Sequence, residues 1–484
     1  MKLIKNKSLF LEHGIIHGKP IFSEKKETIY NPATGEELGT IPYLEGETTK
    51  LAIDSAAKAL LEWKKTPAKE RSKVLKEWFR LIIENINDLA LILTQEQGKP
   101  LTEAKGEILY AASYIEWFSE EAKRIYGDVI PSHRTDTRII VIKEPVGVVG
   151  TITPWNFPSA MLARKVAPAF AAGCTVVSKP SELTPFSALA LYSLAEKAGL
   201  PVGVWNLVMG DYVSIGKELT ENPIVRKISF TGSTKTGSLL MTQSSSTIKK
   251  LSLELGGNAP FIVFDDADIE EAVKGAILSK YRNSGQTCVC VNRFIVHESR
   301  AEEFSSKLAS KASELKVGNG LDEGVVQGPL INKKALEKVE NHIDDALQKG
   351  AKVLIGGNRH PMGGNFFEPT VLLGINETMQ ICKEETFGPV SGIQTFRKEE
   401  EALFLANNTP FGLASYFYSR DIGRIWRIAE GIEAGMIGIN EGIISSEQIP
   451  FGGIKESGIG REGSKYGIDD YLNIKYLCMG GIYK

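Results

Sequence analysis

Apolar residues recur at helical spacing through the first quarter of the chain, from about residue 47 to residue 125. In "KERSKVLKEWFRLIIENINDLALIL" they fall three and four positions apart, which is the spacing of one face of an α-helix. The residues that set this period are Val74, Trp78, Leu81, Ile82, Ile86 and Leu89. A further helix is predicted over "TEAKGEILYAASYIEWFSEEAKRIYG", with Thr102 as its N-cap.

From residue 138 the pattern changes to β-branched residues, and "RIIVIKEPVGVVGTIT" predicts paired strands. Short apolar strands then alternate with helical segments as far as residue 254, and the cycle restarts at "PFIVF". Such alternation with short connections is typical of parallel βαβ units. The sequence therefore predicts an α/β protein with two doubly wound domains. The strand-like "YLNIKYLCMGGIY" has little nearby to bury it and is expected to pair outside its own domain.

Length and composition agree with this picture. The 484 residues suggest about two or three domains. Lys and Arg number 57 against 59 Asp and Glu, so no basic surface for nucleic acid is indicated. The apolar stretches contain charges, Pro or Gly, and neither a membrane span nor a signal peptide is predicted. The five cysteines are an odd number and are scattered, which argues against a disulfide framework, and we expect a reducing cytoplasm.

Cys288 is the first candidate for chemistry. It follows Gly285, Gln286 and Thr287, and a loop of small residues lets a substrate approach a thiol closely. The alternative is a buried cysteine that acts as a small hydrophobic residue. A zinc pair with Cys290 is disfavoured, because zinc ligands are normally spaced C-x2–4-C and the chain has no second cluster.

A cysteine nucleophile needs a proton acceptor. No histidine has a persuasive setting: His297 follows the strand-like "RFIV", and His133, His342 and His360 stand in polar stretches and are expected to be exposed. Glu254 ends an otherwise apolar strand in "LSLELGGNAP", where burial would raise its pKa toward that of a general base. The alternative is a carboxylate at a strand end that faces solvent.

Three further stretches stand where strands end. "ISFTGSTKTG" places Gly232 and Ser233 before a helix, where free N–H groups can hold an anion, although such turns are common. Lys179 and Glu182 in "VVSKPSEL" suit ribose hydroxyls at the end of a parallel strand, or form a solvated charged loop. "TPWNFP" is a rigid loop in which Asn156 can donate an N–H to an oxyanion.

Together these stretches resemble the aldehyde dehydrogenase superfamily over nearly the whole chain. "TPWNFP", "SKPSELTP", "FTGSTKTG", "LELGGNAP", "GQTC", "EETFGPV" and "PFGGIKESGIGREG" occur in the order and at the spacing of that family. The chain is most similar to the succinate-semialdehyde dehydrogenases, through "AKGEILYAASYIEWF", "YRNSGQTCVC" and "REGSKYGIDDYLNIKY".

The resemblance implies a Rossmann-like cofactor domain, a catalytic domain and a small β arm for oligomerisation. Residues 1–124 and 146–254 would bind NAD, residues 255–456 would form the catalytic domain, and residues 125–145 and 457–484 would form the arm. A homodimer or homotetramer is implied, with the strand near residues 138 to 145 and the C-terminal strand in an inter-subunit sheet.

The resemblance also implies roles for the candidates. Cys288 would attack the aldehyde, Asn156 and the Cys288 N–H would hold the oxyanion, and Glu254 would be the general base. The residues implied for cofactor binding are Trp155, Lys179, Ser181, Glu182, Gly232, Ser233, Leu255, Glu385 and Phe387. Because the Glu182 carboxylate would repel a 2′-phosphate, NAD is predicted as the preferred cofactor, with NADP possible. No metal is predicted.

A semialdehyde carries a carboxylate at its far end, and arginine suits a carboxylate because its fork donates two hydrogen bonds. Arg164 lies eight residues after Asn156 and Arg282 six before Cys288. In the succinate-semialdehyde branch the matching positions, with that of Ser445, bind the carboxylate. Oxidation of succinate semialdehyde to succinate is the predicted reaction.

Alternatives remain at this point. Glutarate semialdehyde or a broader range of aldehydes is an alternative substrate. A cofactor-free cysteine hydrolase is a remote alternative, and a catalytically dead protein on the same fold is a third. Cys290 has two interpretations: a redox partner that forms a strained, easily reduced disulfide with Cys288, or a residue that packs beneath the loop.

Overall fold

The computed structural model describes residue 1 and residues 3–483, and the bounds below refer to that part of the chain. The first half contains, in chain order, β1 (Gly14–Ile16), β2 (Lys19–Ile21), β3 (Lys26–Tyr30), β4 (Glu37–Pro42), α1 (Gly46–Trp63), α2 (Ala68–Glu84), α3 (Ile86–Gln97), α4 (Leu101–Glu121), β5 (Asp128–Ile130), β6 (Arg138–Pro145), β7 (Val148–Ile152), α5 (Pro158–Ala172), β8 (Thr175–Lys179), α6 (Pro185–Lys197), β9 (Trp205–Leu207), α7 (Tyr212–Glu221), β10 (Val225–Thr231), α8 (Thr234–Ser244) and β11 (Lys250–Glu254).

The second half contains β12 (Ala259–Val263), α9 (Ile269–Tyr281), β13 (Val291–His297), α10 (Ala301–Ser313), α11 (Lys333–Gln348), β14 (Lys352–Ile355), β15 (Thr370–Leu373), α12 (Gln380–Lys383), β16 (Val390–Phe396), α13 (Glu399–Asn407), β17 (Phe411–Gly412), β18 (Ala414–Tyr418), α14 (Ile422–Gly431), β19 (Met436–Ile439), β20 (Ile454–Lys455), β21 (Gly458–Ile459) and β22 (Leu472–Met479). The predicted alternation of strands and helices between β7 and α8 is confirmed.

Two sheets organise the molecule, as the two-domain α/β prediction required. The first has the order β2-β1-β9-β8-β7-β10-β11-β21, and the five strands from β9 to β11 run parallel. The second has the order β14-β15-β16-β13-β12-β18-β19 and is parallel except at β14. Helices supply the apolar surfaces that cover these strands, and α5, α6 and β8 are buried along their whole apolar length.

The connection from β11 to β12 brings opposite ends of the two sheets together. The chain passes from Glu254, the last residue of β11, to Ala259, the first residue of β12. Parallel neighbours share one direction, so the carboxyl ends of β7, β8 and β10 lie at the same edge as Glu254. The segments that precede β13 and β16 carry Cys288 and Glu385 and lie at the amino edge of the second sheet.

A third sheet has the order β22-β6-β5, and its strands lie within the segments predicted to form the arm. β22 and β6 pair antiparallel over eight residues, from Leu472 opposite Pro145 to Met479 opposite Arg138. The two strands predicted for an inter-subunit sheet therefore pair with each other within one chain, with β22 at the edge. The domain boundaries remain a prediction.

Two local predictions were wrong. β6 and β7 are both strands, but they belong to different sheets and do not pair, because Gly147 turns the chain at φ +124° from the arm into the first sheet. The helix predicted to be capped by Thr102 instead begins at Leu101 after Pro100, whose φ of −55° already suits a helix start. None of the described helices is long and apolar enough to cross a membrane.

Candidate active site

Cys288 lies at the end of a strained turn that leaves α9. Asn283, Ser284 and Gly285 have φ values of +52°, +57° and +75°, a left-handed run that is costly for the two residues with side chains. At Gly285 a Cβ atom would stand 2.1 Å from the carbonyl oxygen of Gly388, so only glycine fits. Cys288 itself is half-buried, and burial raises the pKa of its thiol to about 12. The resting thiol is therefore protonated at neutral pH.

Asn156 lies against the same turn. It is 5% exposed, and its Nδ2 donates a hydrogen bond of 3.1 Å to the carbonyl oxygen of Gln286. An amide nitrogen carries two hydrogens, so the second remains for another acceptor near the thiol. The structure thus brings together the "TPWNFP" loop and residues 283–288, which we call the cysteine loop. The two hydrogen-bonded residues, Asn156 and Gln286, are 130 positions apart in the chain.

Glu254 is buried, at 2% exposure, rather than facing solvent. Its Oε2 has no hydrogen-bond partner among the described residues. Burial, followed by the negative charge of Glu462, raises the pKa of Glu254 well above its ordinary value. A carboxylate in this setting accepts a proton more readily than an ordinary one, as a general base requires.

A cleft of about 270 Å³ contains Cys288 and the three residues predicted for substrate binding, Arg164, Arg282 and Ser445. Arg164 is 1% exposed and forms an ion pair with Glu462, yet its Nη1 and Nη2 have no hydrogen-bond partner among the described residues. Unsatisfied buried donors are costly, and these two nitrogens of a guanidinium can donate hydrogen bonds to an anionic group. A larger surface groove, of about 980 Å³ between α10 and β15, contains none of the predicted site residues.

The second cysteine does not face the cleft. Cys290 is 2% exposed, its Sγ donates to the carbonyl oxygen of Lys280 at 3.5 Å, and burial raises the pKa of its thiol. Both Cys288 and Cys290 are free thiols. Among the described residues, His, Cys, Asp and Glu side chains form no group of three or more that could hold a metal ion.

The carboxyl end of β8, in the first sheet, carries three of the residues predicted for the cofactor: Lys179, Ser181 and Glu182. Lys179, the last residue of β8, forms a 2.7 Å ion pair with Glu182. The hydroxyl of Ser181 accepts the N–H of Leu183 at 3.2 Å and so shapes the turn between them. Burial acts to raise the pKa of Glu182, but the Lys179 ammonium holds it below its ordinary value. Glu182 is therefore charged at neutral pH.

Gly232 and Ser233 form the turn between β10 and α8. A Cβ atom at Gly232 would stand 2.4 Å from the ring of Phe230, so a side chain here would have to displace that ring. The Ser233 hydroxyl caps α8 by accepting the N–H of Thr236 at 3.3 Å. Leu255 is buried against α8, close enough to Gly237 that a Cβ there would stand 2.4 Å away.

The remaining three residues predicted for the cofactor lie between the two sheets. Glu385 Oε1 accepts the N–H of Gly257 at 3.2 Å, and burial raises the pKa of this carboxyl to about 7. The rings of Trp155 and Phe387 meet edge to face at 5.7 Å. A helix start, a lysine–glutamate pair at a strand end and a carboxyl near the cysteine loop fit a dinucleotide lying across the carboxyl edge of the first sheet.

Several residues of this region were missed from the sequence. The cleft is also lined by Glu103, Glu107, Tyr110, Phe157, Met161 and Phe451. Glu103 and Glu107 are one helical turn apart in "TEAKGE", a spacing that the sequence does show. Nothing in the pattern distinguishes them from the exposed glutamates of α4.

The expectation that His342 is exposed was wrong. It is 1% exposed, and its Nδ1 lies 2.8 Å from the hydroxyl of Thr386, between Glu385 and Phe387. Burial, followed by the charge of Lys338, lowers the pKa of His342. The sequence feature that indicates its burial is helical spacing: His342 lies on the same face of α11 as the apolar residues Val339 and Ile343.

Comparison with known proteins places these features in a family. The model of the aldehyde dehydrogenase family matches residues 22–477. The chain is 57% identical to the glutarate-semialdehyde dehydrogenase of Pseudomonas aeruginosa, covering 99% of this chain and 100% of the relative. It is 56% identical to the NADP(+) succinate-semialdehyde dehydrogenase of Escherichia coli, with the same coverage. The crystal structure of succinate-semialdehyde dehydrogenase from Burkholderia pseudomallei is 59% identical and matches with a TM-score of 0.98 over 99% of this chain and 100% of that one.

Proposed function

The chain belongs to the aldehyde dehydrogenase family, and from that premise we propose that it oxidises succinate semialdehyde to succinate with NAD as its preferred cofactor. The observation that supports a semialdehyde substrate is that Arg164 and Arg282 lie in one cleft with Cys288. Arg282 has no ion-pair partner among the described residues, and the terminal nitrogens of Arg164 lack hydrogen-bond partners. A carboxylate satisfies both cations, and an aldehyde group at its other end then reaches the thiol.

The nucleophile is the Cys288 thiolate. Its sulfur forms a bond to the aldehyde carbon, and the carbonyl oxygen becomes an oxyanion. The second hydrogen of Asn156 Nδ2 and the backbone N–H of Cys288 hold that oxyanion. Because the pKa of the thiol is raised to about 12, its proton must be removed during the reaction, and Glu254 is the acceptor.

When bound, NAD would supply an acceptor for the hydride that leaves the former aldehyde carbon, a loss that would convert the Cys288 adduct to a thioester. The residues that would hold it are Ser233 and the α8 N-terminus at the phosphates, Lys179 and Glu182 at the adenosine ribose, and Glu385 at the nicotinamide ribose. After Glu254 has released the thiol proton to solvent, it takes a proton from the water that attacks the Cys288 thioester. The C–S bond then breaks, the acid is released as a carboxylate, and its proton restores the Cys288 thiol. A cysteine hydrolase would have no use for these cofactor residues, and family membership leaves that alternative without support.

The test is NAD-dependent absorbance at saturating cofactor with four substrates: succinate semialdehyde, glutarate semialdehyde, acetaldehyde and betaine aldehyde. We expect succinate semialdehyde to have the highest kcat/KM and the two aldehydes without a carboxylate to be poor. A preference for acetaldehyde or betaine aldehyde would contradict the proposal.

Glutarate semialdehyde is the second candidate, since the relative from Pseudomonas aeruginosa carries that name. Its one additional methylene is worth only about 1 to 3 kcal/mol in a pocket. The same panel therefore ranks the two semialdehydes directly.

The arm supports assembly into a homodimer or homotetramer. Val129 on β5 is 80% exposed, and Ile474, Tyr476 and Met479 on β22 are 74%, 59% and 59% exposed. Exposed apolar residues on an edge strand are typical of an interface. Light scattering coupled to gel filtration tests this, and a monomer would contradict it.

A further inference from the structure

We propose that Glu103 and Glu107, two carboxylates one turn apart on α4, are positioning residues. They hold the two halves of the oxyanion site, which are the loop that carries Asn156 and the loop that carries Cys288, at a fixed separation. The inference rests on the proposed function of Cys288 and Asn156. It concerns how the Asn156 loop and the cysteine loop, which come from different sheets, are kept in register.

Glu107 holds the Asn156 half. Its Oε2 lies 2.6 Å from Lys99 Nζ, and both side chains are fully buried. Lys99 Nζ also donates to the backbone oxygen of Asn156 at 2.8 Å. The other oxygen of Glu107 accepts the N–H groups of Ser159 and Ala160, at 2.9 and 3.3 Å, where α5 begins. The Glu107 carboxylate therefore restrains Asn156 in two ways: through Lys99, which binds the Asn156 carbonyl oxygen, and through the start of α5, which follows Asn156 in the chain.

Glu103 holds the cysteine half. Its Oε2 accepts the N–H of Asn283 at 2.8 Å, at the first residue of the left-handed run. The Asn283 side chain then donates to two carbonyl oxygens, that of Asn156 at 3.0 Å and that of Gln286 at 3.2 Å. Asn156 donates to the same Gln286 oxygen. A left-handed run at two non-glycine residues persists only where its surroundings hold it, and Glu103 provides an anchor.

The common element is α4 itself. Residues four apart on a helix lie on one face at about 5 to 6 Å, and a packed helix keeps that distance. Glu103 and Glu107 thus give both loops a single rigid reference. Oxyanion stabilisation depends on such placement, since a displacement of about 1 Å can cost about a hundredfold in rate.

The test compares two reactions of the Cys288 thiol that need no cofactor. Acylation by p-nitrophenyl acetate passes through a tetrahedral oxyanion, whereas alkylation by iodoacetamide does not. The variant Lys99→Met/Glu107→Gln removes both buried charges together and keeps similar side-chain volumes. We expect acylation about 10- to 100-fold slower than in the wild type and alkylation within about twofold. Asn156→Ala serves as the reference for loss of the donor.

Glu96 offers a matched control. It is buried, and its two oxygens accept the N–H groups of Phe186 and Ser187 at 2.8 Å each, where α6 begins. Glu96→Gln therefore perturbs a carboxylate at a helix start that contacts neither loop. We expect it to leave both reactions within about twofold, which separates positioning from a general loss of packing.

A second pair of variants keeps the test decisive if the double variant does not fold. Glu103→Gln retains an oxygen for the Asn283 N–H, and we expect acylation within about threefold; Glu103→Leu removes the acceptor, and acylation should fall as in the double variant. The inference is overturned if acylation is unchanged in every variant, or if acylation and alkylation fall by the same factor. Acylation that persists in Cys288→Ala would instead contradict the proposed function.

Discussion

Arg164 is paired with Glu462 through its Nε, while its Nη1 and Nη2 have no hydrogen-bond partner among the described residues. The guanidinium also lies 4.3 Å from the ring of Phe451. The ion pair restrains the Arg164 side chain at Nε and leaves Nη1 and Nη2 to donate hydrogen bonds to a ligand. Removal of Arg164 would leave Glu462 buried without this partner, so Arg164 is a poor choice for a test of substrate binding.

Arg282 is the better choice because it has no ion-pair partner among the described residues. Arg282→Ala should raise KM for succinate semialdehyde about 10- to 100-fold, because a hydrogen bond to a charged group is worth about 1.5 to 3 kcal/mol. Butyraldehyde, which has the same number of carbons and no carboxylate, should change by less than about threefold. Steady-state kinetics with both substrates measure the difference. An equal rise in KM for both would contradict the proposal that Arg282 binds the substrate carboxylate.

The rate of thiol chemistry should rise with pH. Burial raises the pKa of Cys288 to about 12, so below that value the reactive thiolate increases about tenfold for each pH unit. Iodoacetamide alkylation of the resting protein should follow this slope from pH 6 to pH 9. A plateau near pH 7 would show an ionised resting thiol and contradict the predicted environment.

Glu254 should control turnover, because it is the proposed proton acceptor for both the Cys288 thiol and the attacking water. In Glu254→Gln we expect kcat to fall by about 10² to 10⁴, the usual range for general-base catalysis. Because the pKa of Glu254 is raised, wild-type kcat should also be lost as pH falls through it, since the protonated carboxyl cannot accept a proton. A variant with unchanged kcat would assign the base elsewhere.

Glu182 should determine the choice of cofactor. Its carboxylate is charged at neutral pH and would repel a 2′-phosphate, so the wild type should prefer NAD by at least about tenfold in kcat/KM. Glu182→Ser should reduce or reverse the ratio. Leu183→Ala, at the next position, is the control for disturbance of the loop. A wild type that prefers NADP, as the name of the relative from Escherichia coli indicates for that enzyme, would overturn the prediction.

Cys290 should make oxidation of Cys288 reversible. Hydrogen peroxide converts the two thiols to one disulfide and two molecules of water, and dithiothreitol reduces it. We expect activity to be lost and recovered in the wild type, whereas Cys290→Ala should recover less because Cys288 proceeds to irreversible oxidation. Cys382→Ala provides a buried-cysteine control. Cys290 is 2% exposed and its thiol is hydrogen-bonded to the carbonyl oxygen of Lys280, so the loop must rearrange before the disulfide forms. If Cys290→Ala is inactivated and recovers as the wild type does, Cys290 has a packing role alone.

The sequence by itself determined the elements and the chemically competent residues. Alternating apolar strands and helices predicted the parallel sheets, and short motifs singled out Cys288, Glu254 and Asn156 as candidates. These features are local, because periodicity and turn chemistry depend on neighbouring residues. Where the prediction was wrong, as for pairing between β6 and β7, β6 pairs instead with β5 and with β22, and β22 lies more than 300 residues along the chain.

Only the tertiary structure decided which residues meet and what their environments do to them. His342 and Glu107 look like surface charges in the sequence, yet packing of α11 and α4 against the rest of the chain buries them beside the cofactor and cysteine loops. The raised pKa values of Cys288 and Glu254 have the same origin. Desolvation and the fields of distant charges such as Glu462 exist only once the two sheets are brought together, and no pattern of neighbours along the chain contains them.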